Sequence, residues 1–491
     1  MKRKVIVLVL LLVSSILVVG LAFLLSSNLG CPIPGAIRVP QDFRRIQWAV
    51  GNASHGDVVW VRRGTYKESV TINKPLTLMG QDKSKTVIES TETESVLLIS
   101  GDSVNVSGFT IRNARAGSYG VWDMQLDHSN NSVVSENIMS NGVWLWHSNF
   151  NLISGNVFTL SDQTGYSVRG QHSEGNRIIN NTMSNSRSAI KLDDSRSNVI
   201  IGNMMLNNFL GIDLEASSGN TIGKNNLVGN LYSLLVSGWN LSDFIQDVDT
   251  SNTVNGKVIY YFVNQTDVLV DSSSFPDAAS LGFVNSKNIT VKDLETVNSG
   301  VGVHFAYTTN SSIENLIISN SMYGIHLTNC SGIRIYNNTM LNNRNGVWSS
   351  NSSDIALVSN TITSGRYDGI ILTHSNRHTI VGNVISNREL YPGIYLRVSD
   401  NCIIIGNTVT DSAFGIKLES SSNNTVYHNN FVNNTVSSQI FSGWANTWDD
   451  GAEGNYWSDY VGVDADQDGV GDVPYVIDEG NKDYYPLMRA L

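Results

Sequence analysis

The chain is short of charge. Only 15% of its 491 residues are Asp, Glu, Lys or Arg, the net charge is −11, and no basic run occurs beyond Lys2, Arg3 and Lys4. That balance excludes nucleic acid as a natural partner, because phosphate binding needs clustered cations. Cysteine is scarce too. Three residues cannot build a disulfide framework, so stability has to come from packing. Long apolar stretches are missing after the N-terminus, and helix-length periodic segments are nearly so.

Asn, Ser, Thr and Gly are abundant instead, and they recur in order. A Gly-Ile/Val beat falls at Gly120, Gly142, Gly165, Gly211, Gly302, Gly324, Gly346, Gly369, Gly393 and Gly415. Ala189 and Ser233 fill two further slots. The steps are about 22–24 residues, a solenoid period in which each unit buries its apolar face only by stacking on neighbours. Each unit offers two or three short strands and no room for a helix. The expected fold is therefore all-β, a right-handed parallel β-helix of about 15 coils. Asn315, Asn338, Asn360, Asn383, Asn407 and Asn430 recur once per coil and read as a structural ladder. Between Ser233 and Gly302 the beat fades. The stretch reads as irregular coils with a protruding loop near Phe275-Pro276, continuous with the same superhelix.

Ahead of the repeats, Val5–Leu25 is an uncharged apolar run behind three cations. It is long enough to cross a bilayer, and the preceding charge keeps the N-terminus inside. It predicts a membrane anchor with the β-helix at the cell surface, or a long signal peptide and a secreted protein. Gln41–Ala53 reads as a short amphipathic helix with Phe43, Ile46, Trp48 and Val50 on its apolar side, a cap for the solenoid end. The resulting division is a signal anchor or signal peptide (1–27), an N-terminal part of the β-helix with its helix cap (36–236), irregular coils with a loop insertion (237–300), a C-terminal part of the β-helix (301–440) and a C-terminal cap with a calcium-type loop (441–491).

Two segments carry a family resemblance. The opening, from VPQDFRRIQWA through GDVVWVRRGTYKESVTINKPLTLMG to GFTIRN, and the close, GNYWSDYVGVDADQDGVGDVPYVID with DYYPLM, resemble NosD-like proteins. These belong to the wider carbohydrate-binding and sugar-hydrolysis (CASH) group of pectin-lyase-like β-helices, and the tail is similar to that of archaeal members. The resemblance spans about Val39 to Met488. It implies a β-helix outside the cytoplasm, and its name implies a part in copper delivery to a nitrous-oxide reductase.

Function has to lie in the outward positions. Counting two and four residues past each Gly-Ile/Val beat gives two columns. The first reads Trp122, Trp144, Ser167, Lys191, Asp213, Leu235; the second reads Met124, Trp146, Arg169, Asp193, Glu215, Ser237. Trp122, Trp144 and Trp146 are candidates for stacking on sugar rings. Asp193, Asp213 and Glu215 are candidate acid/base groups, since carboxylates on adjacent coils lie about 5 Å apart, a glycosidase-like separation. Lys191 and Arg169 would neutralise a uronate in a lyase or epimerase. A ladder of mutually neutralising charges is the competing explanation. The polysaccharide is thus either bound or also modified.

In the second half the first column continues as His304, His326, Trp348, Ile371, Tyr395 and Lys417. His304 and His326 are one coil apart, but Ala306 and Thr328 stand beside them where a soft third ligand is needed, which argues against copper. The tail Asp464-Ala-Asp466-Gln-Asp468-Gly469-Val-Gly471-Asp472 copies the front of a calcium loop, with carboxylates at alternate places and Gly at the sixth; Tyr475 stands where a Glu is expected at the twelfth. Structural calcium is expected there. Three functions stay open: a surface protein binding or modifying polysaccharide, a copper-handling accessory protein, and a structural or adhesive protein.

Overall fold

Short β-strands dominate because the sequence supplies alternating apolar residues in runs of three to six between turn-forming Asn, Ser and Gly. The computed structural model describes residues 33–90, 95–113, 121–161, 163–297, 299–363, 365–441 and 446–491. The apolar run expected to anchor the chain lies outside them; among the described residues no helix is long and apolar enough to cross a membrane. The strands stack into a parallel β-helix of about 18 turns, more than the 15 expected. The chain divides into two compact units, one ending at Ser186 and the other running from Arg187 to Leu491.

In the first unit each coil contributes three strands. Asn105–Ser107, Thr110–Asn113 and Met124–Asp127 are followed, one coil on, by Val133–Ser135, Ile138–Met139 and Val143–Trp146, each pairing in parallel with its predecessor. Val106, Ile111 and Leu126 point inward and are fully buried. The end is capped by a helix, but it is only seven residues long, Ile46–Asn52. The Glu68 carboxylate accepts hydrogen bonds from Ile46 N (3.0 Å) and Gln47 N (3.1 Å), satisfying its N-terminal donors. Ile46, Ala49 and Val50 are buried. Trp48, expected on the apolar side, is 52% exposed with Arg45 over its ring.

The second unit begins with the parallel strands Ser188–Asp193, Leu210–Glu215 and Tyr232–Ser237. The superhelix does not run straight on through 237–300, as the period suggested. Thr253–Val254 pairs antiparallel with the start of Lys257–Val263. Between them Asn255 (φ 49°) and Gly256 (φ 86°) make a two-residue hairpin, the Asn-Gly combination such a turn demands. From there a second run of parallel coils begins, through Ala278–Val284, Val301–Ala306, Tyr323–Thr328, Asn345–Ser350 and Ile370–Thr373.

This second limb packs against the first. Gly300 N donates to Ser233 Oγ (3.1 Å), and a Cβ at Gly300 would meet the Leu234 carbonyl oxygen at 2.3 Å. One coil further along the second limb, Met322 packs with Leu210 and Tyr232. The next coil brings the Arg344 guanidinium over the Phe209 ring at 6.0 Å. Successive coils of the two limbs therefore face one another across a cleft.

The core of the second limb is threaded by an asparagine ladder. Asn360 Oδ1 accepts from the backbone N and side-chain Nδ2 of Asn338 (3.0 and 2.9 Å); Asn383, Asn407, Asn429 and Asn455 repeat the pattern. Asn315 and Asn430 are not in this file. Asn315 has a left-handed corner backbone, and Asn430 stands one residue past the ladder member Asn429. Trp448 and Trp457 close the last coil, with Trp457 Nε1 donating to Asp483 Oδ2 at 2.8 Å. Trp444 lies outside the described residues.

Candidate functional site

The first unit carries the indoles. Strand Val143–Trp146 alternates Val143 and Leu145 inward with Trp144 and Trp146 outward, both half-buried. Their rings lie 5.4 Å apart. One coil on, Arg169 is in register with Trp144 and Gln171 with Trp146. Gln171 Oε1 accepts from Trp144 Nε1 (3.0 Å), and Arg169 lies 5.2 Å from the Tyr166 ring centre. The column count from Gly120 misplaces two residues. Trp144 is opposite Gln125, not Trp122, and Met124 is an interior residue. The coils here are unequal, with ladder residues 19 apart at one step and 25 at the next, so a fixed offset slips. Trp122 precedes its strand and is 7% exposed; it backs the Trp144 ring at 5.9 Å and offers no face of its own. Ser167, counted as outward, is buried.

Beside Trp146 the corner residues His128, His147 and His172 all adopt left-handed backbone, and their rings form a file with centroids 5.0 and 4.8 Å apart. Trp146 meets His147 and His172 edge-on.

The second unit gathers the charges. Lys191 stands opposite Asp213, and Asp193 opposite Glu215. The Lys191 ammonium touches three carboxylates: Asp193 at 3.1 Å, Asp213 at 3.1 Å and Glu215 at 2.8 Å. Lys191 and Asp213 are nearly buried, whereas Glu215 is 54% exposed. Burial alone would weaken Lys191's hold on its proton, but Asp213, Glu215 and Asp193 more than reverse it and its pKa lies above the ordinary lysine value. Asp213 is raised by burial against the pull of Lys191, as expected where three carboxylates share one cation. A lysine held so firmly charged is no proton acceptor.

His304, His326 and Trp348 do stand in one file, as the column count places them, but the two histidines do not face solvent. Both imidazoles are 5% exposed. Phe244, from the short helix Leu241–Phe244, lies 5.7 Å from His304, and Tyr323 and Trp348 cover His326 at 5.1 and 4.7 Å. The two imidazoles are stacked, 4.8 Å apart, with their planes within 4° of parallel. Burial pushes His304 down to about 4 and His326 well below its usual value, so both are neutral. His304 Nε2 and His326 Nδ1 have no hydrogen-bond partner. Parallel rings direct their in-plane lone pairs side by side, not at one point, which ill suits a shared ion.

Further along this file a pocket opens; the column count placed Trp348 and Ile371 in line but not the Tyr323, Arg344, Tyr367 and Asp368 that complete it. Tyr323, Arg344, Trp348, Tyr367 and Asp368 line a cavity of about 380 Å³. Its members come from three successive coils of the second limb, on the strands and on the turns just before them.

In the tail, Asp464, Asp466 and Asp468 bring oxygens within 4.8 Å of one another. Gly469, at φ 94°, turns its N–H back to Asp464 Oδ2 (3.0 Å). Asp472 Oδ2 accepts from Ala465 N at 2.7 Å, closing the loop.

A family model described as "Periplasmic copper-binding protein (NosD)" matches residues 50–261 and 250–462. The chain is 32% identical over 146 residues to a probable ABC transporter binding protein NosD of Pseudomonas aeruginosa. It is 30% identical over 141 residues to the same protein of Stutzerimonas stutzeri. Each match covers 25% of this chain and 32% of the relative, so the chain spans about a third of the length of these relatives. Solved structures similar to it include a mannuronan C-5 epimerase A-module of Azotobacter vinelandii, 12% identical with 84% and 87% of the two chains covered and a TM-score of 0.25. Another is the pre-mature bacteriophage phi29 gene product 12, 13% identical, covering 84% and 71%, with a TM-score of 0.38. The two family-model matches together take in most of the repeats of both units, and the chain belongs to the NosD family.

Proposed function

We propose that this is a polysaccharide-binding β-helix protein working outside the cytoplasm. The observation that carries the reading is the outward pair Trp144 and Trp146 with Arg169 and Gln171 in register one coil away. Half-exposed indole faces stack on pyranose rings, and the neighbouring amide and guanidinium hydrogen-bond hydroxyls. The NosD family's description as periplasmic agrees with that location. The protein binds without cleaving. Lys191, the cation of the charge cluster, is already satisfied by its three carboxylates, which favours a stabilising role for the cluster. Asp213 and Glu215 are the pair that any cleavage would have to use.

The test is binding of the full chain to a panel of neutral and acidic oligosaccharides. The expected result is a Trp144→Ala/Trp146→Ala variant that folds normally but binds at least about tenfold more weakly, the scale of losing one stacked ring. No binding at millimolar sugar would overturn the reading. Release of new chain ends, lost on Asp213→Asn, would overturn its non-catalytic part.

A second reading follows from the family's copper description, with copper as cargo. The unpartnered nitrogens of His304 and His326 favour it; the parallel rings and the lack of a soft third ligand beside them count against it. Copper(I) titration of the full chain and of a His304→Phe/His326→Phe variant separates the two readings. We also assign Asp464, Asp466, Asp468 and Asp472 to structural calcium, since oxygen donors around a sharp Gly turn suit a hard ion.

A further inference from the structure

We propose that the pocket on the second limb, beside its contact with the first, is a subsite for an anionic sugar, one carrying a carboxylate or a sulfate. The inference rests on the polysaccharide reading and extends it to a second place and a ligand charge.

Arg344 carries the argument. It is half-buried at the mouth of a cavity of about 380 Å³, within the 300–1,000 Å³ or so typical of ligand pockets. Its guanidinium lies 4.2 Å from the Tyr367 ring centre and donates to the Tyr367 hydroxyl, and it also hydrogen-bonds the Tyr232 hydroxyl of the facing limb. Its partners are thus neutral phenols, and it makes no ion pair with a carboxylate among the described residues. A partly buried guanidinium fixed in orientation but not neutralised is what a planar or tetrahedral oxyanion needs. Arg366 adds a second positive charge close enough to act on Tyr232 and Tyr367.

The remaining walls suit a sugar ring. Tyr323 and Trp348 present tilted aromatic faces with centres 5.0 Å apart. Trp348 Nε1 is a buried donor with no acceptor, an uncommon cost unless a ligand supplies one. Asp368 completes the lining.

The experiment titrates the full chain, by calorimetry, with oligogalacturonate, a sulfated oligosaccharide and a neutral oligoglucan of equal length. The proposal expects at least one anionic ligand to bind about tenfold or more tightly than the neutral one. Arg344→Gln should remove that preference, Arg344→Lys should restore only part of it, and Trp144→Ala/Trp146→Ala should leave it in place. Thermal melting of Arg344→Gln confirms that the variant is folded. The oligouronate and sulfate arms identify which oxyanion is read. Equal binding of neutral and anionic sugars, or an Arg344→Gln variant with the wild-type preference, overturns this inference and leaves the polysaccharide reading standing. An absence of binding to every sugar overturns both.

Discussion

Lys191 and Asp213, on adjacent strands of one sheet, form an ion pair 3.1 Å long with only 10% and 12% of their side chains exposed. Asp193 and Glu215 share the same ammonium. Removing the cation leaves three carboxylates facing one another. Lys191→Met is therefore expected to cost about 3–5 kcal/mol, the range for breaking a buried pair from one side. Denaturant unfolding measures it. Adding Asp213→Leu to Lys191→Met should recover part of the loss, and a single-variant cost below about 1 kcal/mol would show that the cluster is solvated.

The buried imidazoles set an acid limit. His304 is held neutral in the folded state, with its pKa pushed from 6.5 down to about 4 by burial, and His326 is lowered well below its usual value by burial and, secondarily, by His304. A depressed pKa means that the unfolded chain binds the proton first. The stability contribution is full above about pH 6.5 and is lost as pH falls through about 4. A shift of this size corresponds to roughly 3 kcal/mol for His304 alone. His304→Phe/His326→Phe should flatten the acid limb of a melting-temperature profile between pH 7 and 4. An unchanged slope would refute the assignment.

Asp123 works in the opposite sense. It is fully buried in the first unit, accepts from Asn113 N and Asn141 N, and is raised to about 7 by burial. Its contribution is present at low pH and is lost as pH rises from about 4 through 7. Asp123→Asn should remove that dependence, measurable as a smaller fall in melting temperature across the window.

Each rung of the asparagine ladder satisfies buried backbone. Asn360 accepts from Asn338 N and donates to Ile335 O and Asn383 Oδ1. Asn360→Leu strands Asn338 N and removes a donor from Ile335 O, while Asn383 Oδ1 keeps the backbone N of residue 360; it should cost about 2 kcal/mol or more, at roughly 1–3 per stranded buried group. Asn315→Leu, at an exposed corner outside the ladder, should not, beyond the cost of its left-handed backbone.

Calcium should raise the melting temperature of the full chain. At 100 times its dissociation constant an ion that binds only the folded state adds about 2.7 kcal/mol. The increment should vanish in Asp464→Asn/Asp466→Asn. Equal melting in calcium and in chelator would remove the assignment.

Much of this fold could be read from the repeat itself. A strand buries every second residue, and a coil stacks only if its apolar places recur, so the period, the parallel pairing and the single file from His304 to Lys417 are properties of residue order. The opposition of Lys191 to Asp213 and of Asp193 to Glu215 was legible for the same reason. Trp122 was misplaced because unequal coils shift the register, and register is set by the backbone partner, not by the nearest Gly.

The opening scarcity of charge and cysteine already required a chain that holds itself by stacking, and the sequence alone determined that much: a β-helix laced with asparagine and capped at both ends. Tertiary structure decided the rest. Whether an outward residue is exposed depends on what another part of the chain lays over it, and periodicity carries no record of that. Two residues, Asn255 and Gly256, start a second limb that packs against the first. Phe244, ahead of that turn, covers His304, and the packing places Arg344 against Tyr232.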